Sequence, residues 1–293
     1  MTLTPTITCL LDGRYELAEG LLWDELTNHL LFCDILGKQI HAMNWDTKEV
    51  TTWDFPKVVG SFGLCKDGHL IVAMKDEIIL FDTATKMYST LAQIEPDNPR
   101  TRLNDGKVGP DGAFWVGTMD DISPRTPIAS LYRVSPQGGV THIAQDLRTS
   151  NGLAWSPDNK TMYHSDTGSG EIFTYDFDHN SGTATNKRKF LQLDNTVGRP
   201  DGATVDTNGN YWSAGVSAGN VNCFAPDGEL LHSIALPVPR PTIPCFAGPD
   251  LNTLVVASLR PHGDEALLKE FPNSGSLFAM DVEQKGLPTC RFG

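Results

Sequence analysis

Four residues share a setting that could support chemistry: Glu19, Asp105, Asn151 and Asp201. Each carries a side-chain oxygen and stands directly before a glycine. The phrases are Glu19-Gly20-Leu21-Leu22-Trp23, Asp105-Gly106-Lys107-Val108, Asn151-Gly152-Leu153-Ala154-Trp155 and Asp201-Gly202-Ala203-Thr204-Val205. Two weaker copies, Phe62-Gly63-Leu64 and Phe246-Ala247-Gly248, put an aromatic residue in front. If the fold brings one register position together, Glu19, Asn151 and Asp201 face each other. Two carboxylates and an amide oxygen in a narrow, poorly hydrated space repel unless a cation sits between them. All-oxygen donors suit a hard divalent ion: calcium, magnesium, manganese or ferrous iron. No cysteine or histidine stands at this position, which weighs against structural zinc. Asp and Asn also cap local backbone groups in such turns. The recurrence at one register favours the cation.

The elements that must position these residues follow from the spacing. Successive copies lie 43 to 50 residues apart. A period of about 40–50 residues rich in short strands marks a β-propeller, one blade per repeat. The expected fold is all-β: a six-bladed propeller of four antiparallel strands per blade, forming a single domain over residues 1–293. The innermost strand of each blade lines the axis, so equivalent positions meet around a tunnel. Residues Thr6 to Leu10 read as a terminal strand that closes the ring by pairing near Leu277-Phe278-Ala279-Met280. Strand-length runs such as Leu30–Cys33, Gln39–Met43, Leu70–Met74 and Met162–Asp166 alternate with turn residues such as Lys66-Asp67-Gly68. Glu95–Arg100, Asp120–Arg125 and Arg260–Ser274 read as polar loops. No dozen-residue stretch has helical apolar periodicity, so helices are minor.

Composition narrows the function. Of 293 residues, 40% are hydrophobic and 20% charged, enough for a packed core. The formal net charge of −13 argues against nucleic acid and anionic membrane as partners. The opening Met1-Thr2-Leu3-Thr4-Pro5-Thr6 reads as no secretory leader, and no run of about 18 apolar residues would span a bilayer. The six cysteines are scattered without a CxxC pair and read as reduced thiols, which points to the cytoplasm.

Glu19-Gly20-Leu21-Leu22-Trp23, Arg102-Leu103-Asn104-Asp105-Gly106-Lys107, Ser150-Asn151-Gly152-Leu153-Ala154 and Arg199-Pro200-Asp201-Gly202 resemble, in order, the motifs of the gluconolactonase/regucalcin (senescence marker protein) family. The resemblance covers nearly the whole chain. It implies one divalent cation (calcium, manganese, magnesium, zinc or ferrous iron) at the top of the tunnel, with Glu19, Asn151 and Asp201 on the metal-ligand positions. Arg102 and Asn104 fall on substrate-contacting positions, and Asp201 on the general base. Register alone points to Asp105 where the family motif points to Asn104. An acidic substrate contact is implied in the loop after Gly117-Thr118-Met119, at Asp120 or Asp121, with Asp121 the choice. Pro244-Cys245-Phe246-Ala247-Gly248 departs from the family, which often has two glycines after the phenylalanine.

The activity that the resemblance implies is hydrolysis of a sugar (aldono-) lactone to the aldonic acid by a monomer or weak dimer. The cation polarises the ester carbonyl and Asp201 takes the proton of the attacking water. Phe62 and Phe246 wall the channel, Lys107 packs or is solvated, and His164 is a strand residue bonded to its neighbours. Two other classes compete: an aryl-esterase or phosphotriesterase-like propeller, and a non-catalytic calcium-binding propeller. Arg102 and Asn104 favour a polyhydroxylated substrate over the first. Carboxylates inside the tunnel argue against the second.

Overall fold

The structure, a computed structural model, describes residues 5–293; Met1–Thr4, part of the segment read as lacking a leader, lie outside the described residues. Six four-stranded antiparallel sheets form a six-bladed β-propeller. Blade one comprises Ala18–Asp24, His29–Asp34, Gln39–Asn44 and Val50–Asp54, from the axis outwards. Blade two comprises Val59–Leu64, Leu70–Met74, Glu77–Phe81 and Tyr88–Gln93. Blade three comprises Thr101–Val108, Phe114–Asp120, Ala129–Val134 and Val140–Leu147. Blade four comprises Ser150–Trp155, Thr161–Asp166, Glu171–Asp178 and Thr183–Gln192. Blade five comprises Pro200–Val205, Tyr211–Gly215, Asn220–Phe224 and Leu230–Ala235.

Blade six takes Pro241–Ala247, Thr253–Ser258 and Leu277–Asp281 from the end of the chain and its outermost strand, Thr8–Leu11, from the beginning. Thr8 faces Ala279 and Cys9 faces Phe278, which closes the ring where the sequence placed the closure. The polar loop Arg260–Ser274 holds one short helix, Glu265–Glu270, in place of the expected irregular chain. Asp264 caps it, its carboxylate accepting from the Leu267 backbone N–H. Among the described residues no helix is long and apolar enough to cross a membrane.

Burial falls from axis to rim. The innermost strand Ala18–Asp24 is buried throughout, whereas the outermost strands Val50–Asp54 and Thr183–Gln192 are largely exposed. The apolar side chains pack between blades. Leu22, Leu31 and Ile40 of blade one meet Phe62, Val72 and Ile79 of blade two. Trp23 and Phe32 meet Val255 and Leu277 of blade six. Burying each such side chain contributes about 1.5–3 kcal/mol, so the blade interfaces hold the ring at fixed radius. The fully buried Trp212 still satisfies its indole N–H, which donates to Asp206 at 2.9 Å. All six cysteines are unpaired.

The last residues strap the underside of the ring. Gly286 bridges to Asp206 of blade five, the Thr289 hydroxyl donates to the Trp23 carbonyl at 2.6 Å, and Phe292 bridges to Cys65 of blade two. Arg291 pairs with Asp24.

Candidate active site

Every innermost strand is bulged near its start. The register shifts fall between Glu19 and Leu22, Val59 and Ser61, Leu103 and Gly106, Asn151 and Ala154, Pro200 and Ala203, and Pro241 and Pro244. A bulge adds one residue to one strand, frees it from the ladder and re-aims its side chain. This accounts for the glycine in blades one and four. Gly20 and Gly152 sit at φ 61° and 65°, the left-handed region that favours glycine. At Gly152 an added side chain would also collide with the Tyr211 hydroxyl.

The same geometry corrects the expected register: Glu19 and Asn151 open their bulges, paired with Cys33 and Ser165, whereas Asp201 and Asp105 lie one and two residues further in. Phe62-Gly63 and Phe246-Ala247 do not occupy the bulge position; Val59–Ser61 and Pro241–Pro244 do. Gly63 is required for another reason, close approach to Val108. Phe62 and Phe246 do wall the channel. They line a cavity of about 300 Å³ with Gly63, Lys107 and Cys245, below the bulges. The Lys107 ammonium donates to the Ala203 carbonyl across the tunnel at 2.7 Å.

At the bulged end the residues singled out by sequence come together by name. The Gly20 backbone N–H donates to the Glu19 carboxylate at 3.0 Å. The Asn151 amide N–H donates to the Thr167 hydroxyl at 2.8 Å, which turns its carbonyl oxygen the other way. That oxygen accepts the Asn104 amide at 3.4 Å, and Asn104 also donates to the Ser150 carbonyl at 3.0 Å. Arg102 donates through Nη1 to the Asn104 side-chain oxygen and through Nε to Asp121, both at 3.0 Å. The partner of Arg102 is therefore Asp121, rather than Asp97 or Asp105, two acids close to it in sequence. Asp120, the other loop candidate, is fully buried and tied to Arg100 and Thr126, away from Arg102. His164 is bonded to the Ser150 hydroxyl at 2.7 Å. His262 pairs with Glu16.

Electrostatics mark the same place. Burial first, then the charges of Asp201 and Asp105, hold the Glu19 carboxyl well above the usual carboxylate range. Burial and Asp105 push Asp201 up to about 7. Asp105, raised by its own burial, lies beside them and accepts the Leu153 backbone N–H at 3.4 Å. None of the three makes an ion pair among the described residues. Buried carboxylates without an ion-pair partner fit a bound cation, and their oxygens fit a hard one. Among the described residues no three His, Cys, Asp or Glu side chains gather as metal ligands.

The site is held by a device that the sequence reading missed. In blades one, three and four an aspartate ends the second strand: Asp34, Asp120 and Asp166. Asp34 accepts the backbone N–H groups of Glu16 and Leu17, just ahead of Glu19. Asp166 accepts those of Arg148 and Thr149, just ahead of Asn151, at 3.2 and 2.8 Å, and that of Gly168 in its own turn at 3.0 Å. The signal was the recurrence of Asp at this register, hidden beneath the stronger glycine repeat. Asp166→Ala leaves three backbone donors unmatched and is expected to lower unfolding free energy by about 2–4 kcal/mol. Urea unfolding measures it; a loss below about 1 kcal/mol would show that water replaces the carboxylate.

Known proteins share this architecture and sequence. The SMP-30/Gluconolactonase/LRE-like region matches residues 17–260. The chain is 36% identical to 6-deoxy-6-sulfogluconolactonase of Pseudomonas putida, covering 96% of each chain. It is 33% identical to regucalcin of Xenopus laevis, covering 98% of each. A crystal structure of a calcium-binding protein, regucalcin, from Agrobacterium tumefaciens superposes with a TM-score of 0.95 at 28% identity, covering 100% of this chain and 99% of that one. By match length, identity and fold alike, this chain belongs to the SMP-30/gluconolactonase/LRE-like family.

Proposed function

We propose that this protein hydrolyses a sugar lactone to its open-chain hydroxy acid. Glu19, Asn151 and Asp201 would hold one divalent cation, and Asp201 would act as general base. The observation that carries the reading is the group of buried carboxylates, without a positive side-chain partner, at the bulged end of the tunnel. The Pseudomonas putida relative, named for a sugar lactone, supports the substrate class.

A divalent cation bound there supplies Lewis-acid polarisation of the lactone carbonyl and charge for the oxygen that becomes anionic. Asp201 accepts a proton from the attacking water as the new carbon–oxygen bond forms. The ring carbon–oxygen bond then breaks, and the proton passes to the departing ring oxygen. Arg102, anchored by Asp121 and Asn104, offers the rest of its guanidinium to ring hydroxyls. Asp121 keeps its second oxygen for the same purpose, being half exposed. Asn104 orients the Asn151 oxygen and closes the wall between blades three and four.

The test is acid release from a panel of aldonolactones, with chelator-stripped protein given back single divalent metals. Metal-dependent release above the spontaneous rate is expected. Retained metal with no turnover of any sugar lactone would overturn the reading in favour of a calcium-binding propeller, and turnover of aryl esters alone would favour the esterase class.

A further inference from the structure

The bulge of blade four is held from both sides, and one of its supports has a chemistry that packing does not ask for. Between Asn151 and Ala154 the first strand of this blade leaves its ladder. From blade three, Asn104 donates to the Ser150 carbonyl at 3.0 Å. From blade five, the Tyr211 hydroxyl donates to the Gly152 carbonyl at 2.8 Å. The backbone is thus tied on either side of Asn151, one bond to each neighbouring blade.

Tyr211 opens the second strand of blade five, paired with Val205. Its ring is fully buried between blades four and five, stacked on Tyr163 with ring centres 4.9 Å apart. In the other blades the matching residues just past the first turn are Leu30, Leu70, Phe114, Met162 and Leu254. All five are buried, and none can donate a hydrogen bond. A buried hydroxyl costs free energy unless it finds a partner, so a phenylalanine would fill the space at less risk. At this position the hydroxyl occurs in one blade of six, at the interface that separates Asn151 from Asp201.

Gly152 shows how closely the two bulges approach. A Cβ on it would meet the Tyr211 hydroxyl, the Ser165 hydroxyl and, at 3.1 Å, the Asp201 carbonyl. The backbone of Asp201 therefore lies against the residue that follows Asn151. A bond from blade five to the Gly152 carbonyl at this point fixes how far apart the Asn151 and Asp201 side chains stand. Groups behind a metal ligand orient it and tune how tightly the ion is held. Choice between ions of different size depends on the size of the site and on how firmly its donors are kept in place.

We propose that Tyr211 is a positioning residue: its hydroxyl clamps the blade-four bulge to blade five and sets the Asn151–Asp201 spacing on which cation affinity depends. The inference rests on the cation site of the lactonase reading. Calorimetric titration of chelator-stripped protein with calcium, manganese or magnesium, each alone, tests it without any lactone. Tyr211→Phe is expected to weaken the tightest of the three by about tenfold or more. It should also narrow the spread among them, because a looser site fits large and small ions more alike. Phe114 shows that the fold accepts the bare ring at this position. The control is Thr289→Val, which removes a hydroxyl bond of the same kind, to the Trp23 carbonyl, at the underside of the ring. Both variants should melt a few degrees below wild type in chelator, and Thr289→Val should keep its cation affinities. Affinities for all three ions within about twofold of wild type in Tyr211→Phe, or an equal loss in Thr289→Val, overturn the inference. Wild-type protein that binds none of the ions removes the cation site and this inference together. Wild-type protein that binds an ion and opens no lactone removes the lactonase reading alone, since the titrations decide this inference without it.

Discussion

Asp201→Asn is expected to lower kcat by about a thousandfold, within the range that positioned general bases contribute. The change keeps the shape of the side chain and removes its charge and its capacity to take a proton. It also removes one of the two carboxylates proposed to hold the cation. The fold has no reason to fail, because Asp201 makes no ion pair among the described residues and lies in a bulge, outside the ladder. The measurement is the initial rate on a lactone that the wild-type protein turns over, with the spontaneous rate subtracted and metal in excess. Activity within tenfold of wild type would move the base elsewhere, with Asp105 and Glu19 next in line.

The second large effect concerns stability, and its sign follows from burial. Asp201 is raised from the ordinary 3.8 to about 7 in the fold. A raised carboxyl binds its proton more tightly when folded than unfolded. Its contribution is therefore fully present below about pH 4 and is lost as pH rises towards 7. The gap corresponds to at most about 4 kcal/mol. His164 works in the opposite direction. Burial pushes it down to about 3, so acid destabilises the fold once pH falls below the ordinary 6.5. Comparing wild type with Asp201→Asn cancels the histidine. In chelator at pH 8 the variant is expected to unfold at the higher temperature, and at pH 4 the two should coincide. A divalent cation at pH 8 should raise the wild type by mass action and the variant far less. A wild type that outlasts the variant at pH 8 in chelator would contradict an uncompensated buried carboxylate.

What could be read from the sequence was what one strand advertises by itself. Leu70–Met74 is a run of apolar residues between turn signals, and it is a strand over those very residues. Thr183–Gln192 is an equally regular strand, but it lies on the rim with both faces largely wet and shows no apolar pattern to read. Glu19, Asn151 and Asp201 were legible because each precedes a glycine at its strand's bulge, whereas the bulges at Val59–Ser61 and Pro241–Pro244 carry no such pair and were missed. Phe62 and Phe246 were assigned to that register wrongly because glycine answers two demands, positive φ in one blade and close packing in another. The Arg102–Asp121 pair depends on how a loop folds back over its own blade, which no spacing encodes. The aspartates ending the second strands could have been found by asking what ties down each strand's first backbone groups.

The bulges divide the labour within each blade. Below them, paired backbone and packed apolar faces must stay in register, and a change there is felt by both neighbours. Inside them, residues such as Asp201 in blade five and Asn104 in blade three stand between the ladder pairs. Such a position can be exchanged without disturbing the wall beneath it, and the other five blades keep the ring intact meanwhile. An architecture of this kind lets a lineage rewrite its chemistry one blade at a time, with inheritance of the scaffold and of the reactive residues running on separate clocks.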